Sequence, residues 1–96
     1  MKITLLIIFE TLPGKSAQME QALEALAIEA RREAGCELFV THRVSDAPGI
    51  YVLYEQWRDS ETLDAHNAGP SVLRMSALLP ELVKDKPKVS KLESLA

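Results

Sequence analysis

The sequence predicts an α+β fold, in which a four-stranded antiparallel sheet carries helices on one of its faces. The period of the hydrophobic pattern changes along the chain in the order β-α-β-β-α-β. The first strand is apolar on both of its faces, so both faces need cover. At 96 residues the chain is long enough for one domain, which we expect to span residues 1–96.

The first half of the chain predicts one strand and one long helix. Residues 2–10 are rich in branched apolar side chains and have the length of a strand. After a turn at residues 12–15, Ser16 is the expected N-cap of a helix that runs to about Glu33, and Gly35 is the expected stop. The helix has an apolar stripe at 3.6-residue spacing, which comprises Met19, Leu23, Leu26, Ala27, Ala30 and Ala34.

The second half predicts three strands and a broken helical region. The expected elements are strands over 36–45, 50 to 57 or 58, and 88–95, and helices over 59 or 60 to 66 and about 71–83. In the second strand, strict alternation puts one set of side chains on the same face: Cys36, Leu38, Val40, His42 and Val44. In the third strand, alternation separates Tyr54 from Glu55 and Trp57 without showing which set faces the helices.

This order of elements is that of the ferredoxin-like fold. Helices cover one face of such a sheet and leave the other face bare. Because the first strand is apolar on both faces, we expect a second copy of the chain to cover the bare face. The predicted assembly is a homodimer formed through the open face of the sheet.

Composition excludes several classes of function. The net charge is −3, whereas binding to nucleic acid needs clustered Lys and Arg, so no nucleic-acid partner is expected. The apolar run 3–9 is too short to span a bilayer, so no membrane association is expected. A single cysteine and the absence of a recognisable signal peptide favour a cytoplasmic protein.

The sequence also lacks the usual signatures of bound groups. Its two histidines are far apart, and no paired Cys or His spacing typical of a metal site occurs. No glycine-rich phosphate loop is present. We therefore expect neither a metal nor a cofactor.

Several short motifs together resemble the antibiotic biosynthesis monooxygenase family, also described as quinol-monooxygenase-like. The order and spacing of the motifs over nearly the whole chain carry the resemblance: Pro13-Gly14-Lys15, Glu33-Ala34-Gly35-Cys36, His42-Arg43, Tyr54-Glu55-Gln56-Trp57 and Ala65-His66. The resemblance implies a dimeric α/β barrel, in which two sheets pack face to face. It also implies oxygenation of aromatic quinols or anthrones without flavin, haem or metal.

The segment from residue 54 to residue 66 concentrates the groups suited to that chemistry. His66 is the candidate base, because the unperturbed pKa of histidine lies near neutrality. Trp57 could stack on a flat aromatic ligand, and Tyr54 could donate a hydrogen bond to an oxygen of the substrate. The candidate substrate-binding residues are His42, Glu55 and Arg74.

Each candidate also has a structural interpretation. Trp57 could fill the core, Glu55 could be a hydrogen-bond partner, His66 could complement the dipole of a short helix, and His42 and Arg74 could be structural and surface residues. Many members of the family that the chain resembles carry a second histidine where this chain has Ser71, so we do not expect a mechanism that needs two histidines at this corner. The alternative functions are a non-catalytic dimer, binding a small ligand or acting in stress or regulation, and an isomerase of a small metabolite.

Overall fold

The computed structural model describes residues 1–96. Its strands are β1 (Ile3–Glu10), β2 (Cys36–Arg43), β3 (Ile50–Trp57) and β4 (Lys88–Leu92), and its helices are α1 (Ser16–Ala30), α2 (Ser60–Asn67) and α3 (Pro70–Leu82). The strands form one antiparallel sheet in the order β2-β3-β1-β4. The predicted ferredoxin-like α+β fold is thereby confirmed.

The main difference from the predicted boundaries lies at the end of α1. The helix ends at Ala30 rather than near Glu33, and Arg31 is its C-cap. The following residues form a turn, in which Gly35 adopts a φ of +81°. Glu33 therefore belongs to the turn between α1 and β2, where its side chain can point in a direction that a continued helix would not allow.

Three smaller boundary predictions are also corrected. Ser16 is the first residue of α1 instead of its cap, because Lys15 is the N-cap and no side chain caps the helix. Strand β2 ends at Arg43 rather than at Ser45. Strand β4 ends at Leu92 rather than near Leu95, and it pairs only with β1.

A β-bulge near the start of β2 changes the predicted grouping of its side chains. The register shifts between Cys36 and Leu38, so that Cys36 pairs with Trp57 while Leu38 pairs with Gln56. One extra residue in a strand reverses the alternation of faces on one side of the bulge. Cys36 therefore packs against the core, while Leu38, Val40 and His42 lie on the opposite face.

Alternation along β3 decides which side chains face the helices. The buried set is Tyr51, Leu53, Glu55 and Trp57, and it alternates with partly exposed neighbours. The helices cover this face, and the core lies between it and the apolar sides of α1 and α3. The predicted stripe of α1 is buried from Met19 to Ala30, and Ala34 is exposed because the helix has already ended.

No helix covers the other face of the sheet, which we call the open face. Cross-strand neighbours share a face, and those on the open face include Leu6, Ile8, Val40, Val52 and Tyr54. All five are at least partly exposed to solvent. None of the helices combines the length and the apolar character that crossing a membrane requires.

Candidate active site

A cavity of about 310 Å³ opens between the sheet and α3. Buried side chains form its floor: Phe39, Leu53, Glu55, His66 and Met75. Exposed residues form its mouth beside β4: Asn67, Ser76, Lys86 and Val89. Most of the lining is apolar, and the few polar groups converge at the floor, which is the usual character of a pocket for a small molecule.

His66 is the polar group at the centre of this floor. It lies in the last turn of α2 and is only 4% exposed. Its Nδ1 atom is 2.5 Å from Oε1 of Glu33, and the Ser71 hydroxyl donates to Oε2 of the same carboxylate at 2.7 Å. The Glu33 carboxylate thus joins the turn after α1 to both α2 and α3.

Local sequence explains why these three groups meet. Asp59 caps α2 by accepting a hydrogen bond from the Thr62 N–H at 2.9 Å, which fixes the start of the helix that carries His66. Gly35 lies so close to α2 that a Cβ atom there would clash with Thr62. The glycine therefore lets the turn that carries Glu33 approach α2 closely.

The contact with Glu33 occupies one ring nitrogen of His66 and leaves the other without a hydrogen-bond partner. An ionised carboxylate only accepts hydrogen bonds, so Nδ1 carries a proton and donates it to Glu33. Nε2 forms no hydrogen bond with the protein. His66 lines the cavity, and in the neutral ring the unbonded Nε2 has the free electron pair of a base.

Glu55 is the second polar group at the floor, and it is only 2% exposed. One of its oxygens accepts a hydrogen bond from the Trp57 indole N–H at 2.7 Å. Burial raises the pKa of Glu55 above its usual range, and the charge of Glu33 adds to this, whereas the Trp57 hydrogen bond and His66 oppose it. A carboxyl that tends to hold its proton can donate a hydrogen bond to a ligand.

Trp57 contacts both polar groups, since it packs against His66 and donates a hydrogen bond to Glu55. It is fully buried, and its ring centroid lies 4.4 Å from that of His66 with the planes tilted by 30°. Phe39 meets His66 edge-on at 5.6 Å. The indole is not part of the cavity lining, and its contacts are with His66 and Glu55.

The structure brings together three of the six residues that the sequence singles out. His66 and Glu55 line the cavity, and Trp57 contacts both. The other three lie elsewhere. Tyr54 is on the open face, where its hydroxyl accepts a hydrogen bond from the Gln56 amide at 3.2 Å.

His42 and Arg74 also lie outside the cavity. His42 is exposed on the open face, and its Nδ1 atom is 3.2 Å from the Val52 carbonyl oxygen. Arg74 is exposed on α3 and pairs with Glu29 of α1. Neither side chain lines the cavity between the sheet and α3.

Sequence reasoning missed two residues of the site. Glu33 entered only as part of a motif, because the predicted helix included it. Ser71 was noticed only as a replacement for a histidine, yet its hydroxyl holds the same carboxylate that holds His66. The motif Glu33-Ala34-Gly35, with its charged residue beside a glycine turn, was the available signal.

Fold and site together define a class of protein: a small α+β domain with a histidine and a buried carboxyl in an apolar cavity. The chain belongs to the antibiotic biosynthesis monooxygenase family, whose sequence profile matches residues 2–78. Among curated proteins, none matches this sequence.

Solved structures of other proteins share this fold. PA3566 from Pseudomonas aeruginosa is 30% identical, with a TM-score of 0.92 over 99% of this chain and 95% of that one. Rv0793 from Mycobacterium tuberculosis is 26% identical, with a TM-score of 0.92 over 100% of this chain and 97% of that one. A structure described as an antibiotic biosynthesis monooxygenase is 19% identical, with a TM-score of 0.90 over 98% and 99% of the two chains, and shares the fold.

Proposed function

We propose that this protein is an oxygenase that acts on a small reduced aromatic molecule, such as a quinol or an anthrone, without flavin, haem or metal. The observation that carries the proposal is the floor of the cavity. There, Nε2 of His66 is held ready as a base beside the buried carboxyl of Glu55. Membership of the monooxygenase family supports the same reaction class.

The reaction needs an electron-rich substrate, and His66 provides the step that creates one. Nε2 accepts the acidic proton of the bound ring, and the resulting anion reduces molecular oxygen and forms a C–O bond with it. Breaking the O–O bond then leaves one oxygen atom on the ring as a carbonyl. The second oxygen leaves as water together with the two hydrogens lost by the substrate, so no external reductant is consumed.

Glu55 has a supporting role in this scheme. The raised pKa of Glu55 favours its protonated form, and in that form it would donate a hydrogen bond to a substrate oxygen, where negative charge develops after His66 removes the proton. A ring that fills this apolar cavity would displace water from the two groups, which strengthens both interactions. Trp57 positions the two groups. Tyr54, His42 and Arg74 have no part in the proposed site, because they lie outside the cavity.

The proposal includes a homodimer formed through the open face. Leu6, Ile8 and Val52 would lose contact with water on packing against a second sheet, and this burial is the driving force for association. The cytoplasm is the proposed compartment, since a chain with one cysteine forms no internal disulfide.

Oxygen uptake with a panel of naphthohydroquinones and anthrones tests the proposed activity. The wild-type protein should consume oxygen faster than the uncatalysed rate, and His66→Gln should lower that activity by about 100-fold or more. His42→Gln is the matched control, because it removes the only other histidine of the chain, and it should keep the wild-type rate. Equal rates for the two variants would refute the role of His66.

A non-catalytic ligand-binding dimer is the second candidate. The observation that favours it is the bond network of Glu33, which ties three parts of the backbone together and would stabilise the fold without any reaction. A thermal shift with the same quinols but no oxygen uptake would support this candidate. An isomerase of a polar metabolite is less well supported, since ten of the sixteen residues lining the cavity are hydrophobic.

A further inference from the structure

His66 borders two separate openings of the molecule. One is the apolar cavity, and the other is a wider surface depression of about 620 Å³ on the outer side of the helices. Five charged residues line the depression, namely Glu29, Arg32, Glu33, Arg58 and Glu61. The side chain of Glu33 is 25% exposed, so solvent reaches the carboxylate that holds His66.

We propose that Glu33 is a positioning residue for His66 and also the outlet through which the proton of His66 reaches bulk solvent. This inference rests on the proposed function of His66 as the base that deprotonates the substrate. It adds a residue and a route for the proton, neither of which follows from the identity of the base alone.

The positioning role follows from the two hydrogen bonds of the carboxylate. Glu33 accepts from Nδ1 of His66, and the second bond, from Ser71, fixes the orientation of the carboxylate. A carboxylate at one ring nitrogen sets the tautomer and directs the other nitrogen towards its target. Without Glu33, nothing would keep the proton on Nδ1, and the free imidazole prefers the tautomer protonated on Nε2, which cannot act as a base towards the cavity.

The outlet role follows from the position of the two openings. A substrate ring that fills the apolar cavity would separate Nε2 from water. Nδ1 is bonded to Glu33, which lines the outer depression. When Nε2 takes a proton from the substrate, Nδ1 can release its own proton through Glu33 to solvent. Nε2 later donates its proton to a product oxygen, and Nδ1 takes up a proton from solvent through Glu33. These two steps restore the starting tautomer, so the protons balance.

The surrounding charges leave the Glu33 carboxylate available for this exchange. In the outer depression, Arg58 pairs with Asp59, Glu29 pairs with Arg74, and no arginine forms an ion pair with Glu33. Arg32 and Glu61 line the depression without an ion pair of their own. On the cavity side, Glu55 is the one titratable neighbour at the floor, and Lys86 lies at the mouth.

Nitrogen NMR of the histidine rings tests the positioning role without any substrate. With only two histidines, the exposed His42 serves as the internal reference. In the wild-type protein at a pH where the ring is neutral, His66 should carry its proton on Nδ1, and in Glu33→Ala the proton should move to Nε2. A wild-type His66 protonated on Nε2, or a folded Glu33→Ala protein that keeps the Nδ1 proton, would overturn this role.

Turnover of quinols tests the outlet. Glu33→Gln keeps an acceptor for Nδ1 but cannot take up its proton, so kcat should fall by about 10- to 100-fold, while KM stays within about 2-fold. Glu29→Gln is the matched control, because it removes another carboxylate of the same depression, and its kcat should not change. A Glu33→Gln variant as active as Glu29→Gln would refute the outlet.

The two measurements also separate this inference from the proposed function. If the wild-type protein oxidises no quinol, the proposed function and the outlet fail together. The tautomer of His66 in the wild-type protein and in Glu33→Ala still decides whether Glu33 is a positioning residue.

Discussion

The two faces of the sheet are both apolar, yet they differ in where they place polar groups. On the helix-covered face, Glu55 and Trp57 are buried and bonded to each other, and His66 packs against them. On the open face, Tyr54 and Gln56 are bonded to each other and partly exposed. Adjacent residues of one strand therefore belong to environments with different chemistry.

This difference shows how a short strand can serve two purposes. Buried polar groups interact strongly with one another and with a ligand, because little water screens them. The same groups on an exposed face are screened, and the apolar side chains around them favour association with another surface. The proposed reaction therefore belongs to the covered face, and the proposed dimer contact belongs to the open face.

The largest expected effect comes from removing the central side chain of the covered face. Trp57→Ala should lower the free energy of unfolding by about 3–5 kcal/mol, because it leaves a void in the core and removes the donor to Glu55. Trp57→Phe should cost less, since most of the ring volume remains. Urea titrations measure both values, and a loss below about 1 kcal/mol for Trp57→Ala would contradict the packing described for this face.

A charge on the open face should break the dimer while leaving the covered face intact. Leu6→Asp places a carboxylate in the proposed interface and should weaken dimerisation by about 100-fold or more, as measured by sedimentation. Leu73→Asp is the control, since Leu73 is 60% exposed on the outer side of α3 and should not affect the mass. A wild-type protein that sediments as a folded monomer at micromolar concentration would exclude the dimer.

Glu55 should make the stability of the covered face depend on pH. Its pKa is raised from the ordinary 4.5 by burial, so its favourable contribution is complete below pH 4.5 and is lost as the pH rises through the higher folded value. Glu55→Gln should therefore gain stability relative to the wild-type protein as the pH rises. Denaturation series between pH 4 and pH 9 measure this trend, and a difference that shrinks with rising pH would contradict the burial of an ionisable carboxyl.

Glu20 should give a smaller effect of opposite sign. Hydrogen bonds from Arg43 and Tyr51 lower its pKa from 4.5 to about 2, so its contribution is present above pH 4.5 and is lost as the pH falls through about 2. Glu20→Gln should be slightly less stable than the wild-type protein near neutral pH, and the difference should close in acid. The effect is small because the ion pair is exposed and screened by salt, and a difference that grows in acid would refute the assignment.

Periodicity predicted the fold well, because its main signals are local. The two-sided apolar pattern of residues 2–10, the stripe that begins at Met19 and the break before Pro70 each report a nearby structural constraint. The same local signals placed the end of α1 too late and missed the bulge after Cys36. Both features depend on contacts with distant parts of the chain. The turn at Gly35 lies against Thr62 of α2, and the bulge lies where β2 pairs with β3.

The candidate site was only partly predictable. His66, Glu55 and Trp57 are close in sequence, and the strand-to-helix corner brings them together. Glu33 comes from a part of the chain 33 residues away from His66, and periodicity contains no information about such a contact. Tyr54 was selected for its proximity in sequence, but strand alternation turns it to the opposite face.

A crystal structure with a bound naphthohydroquinone, obtained without oxygen, tests the central claim most directly. We expect the ring to lie between β3 and α3, with one of its oxygens within hydrogen-bond distance of Nε2 of His66. A ring that instead binds against Tyr54 on the open face, out of reach of His66, would contradict the account.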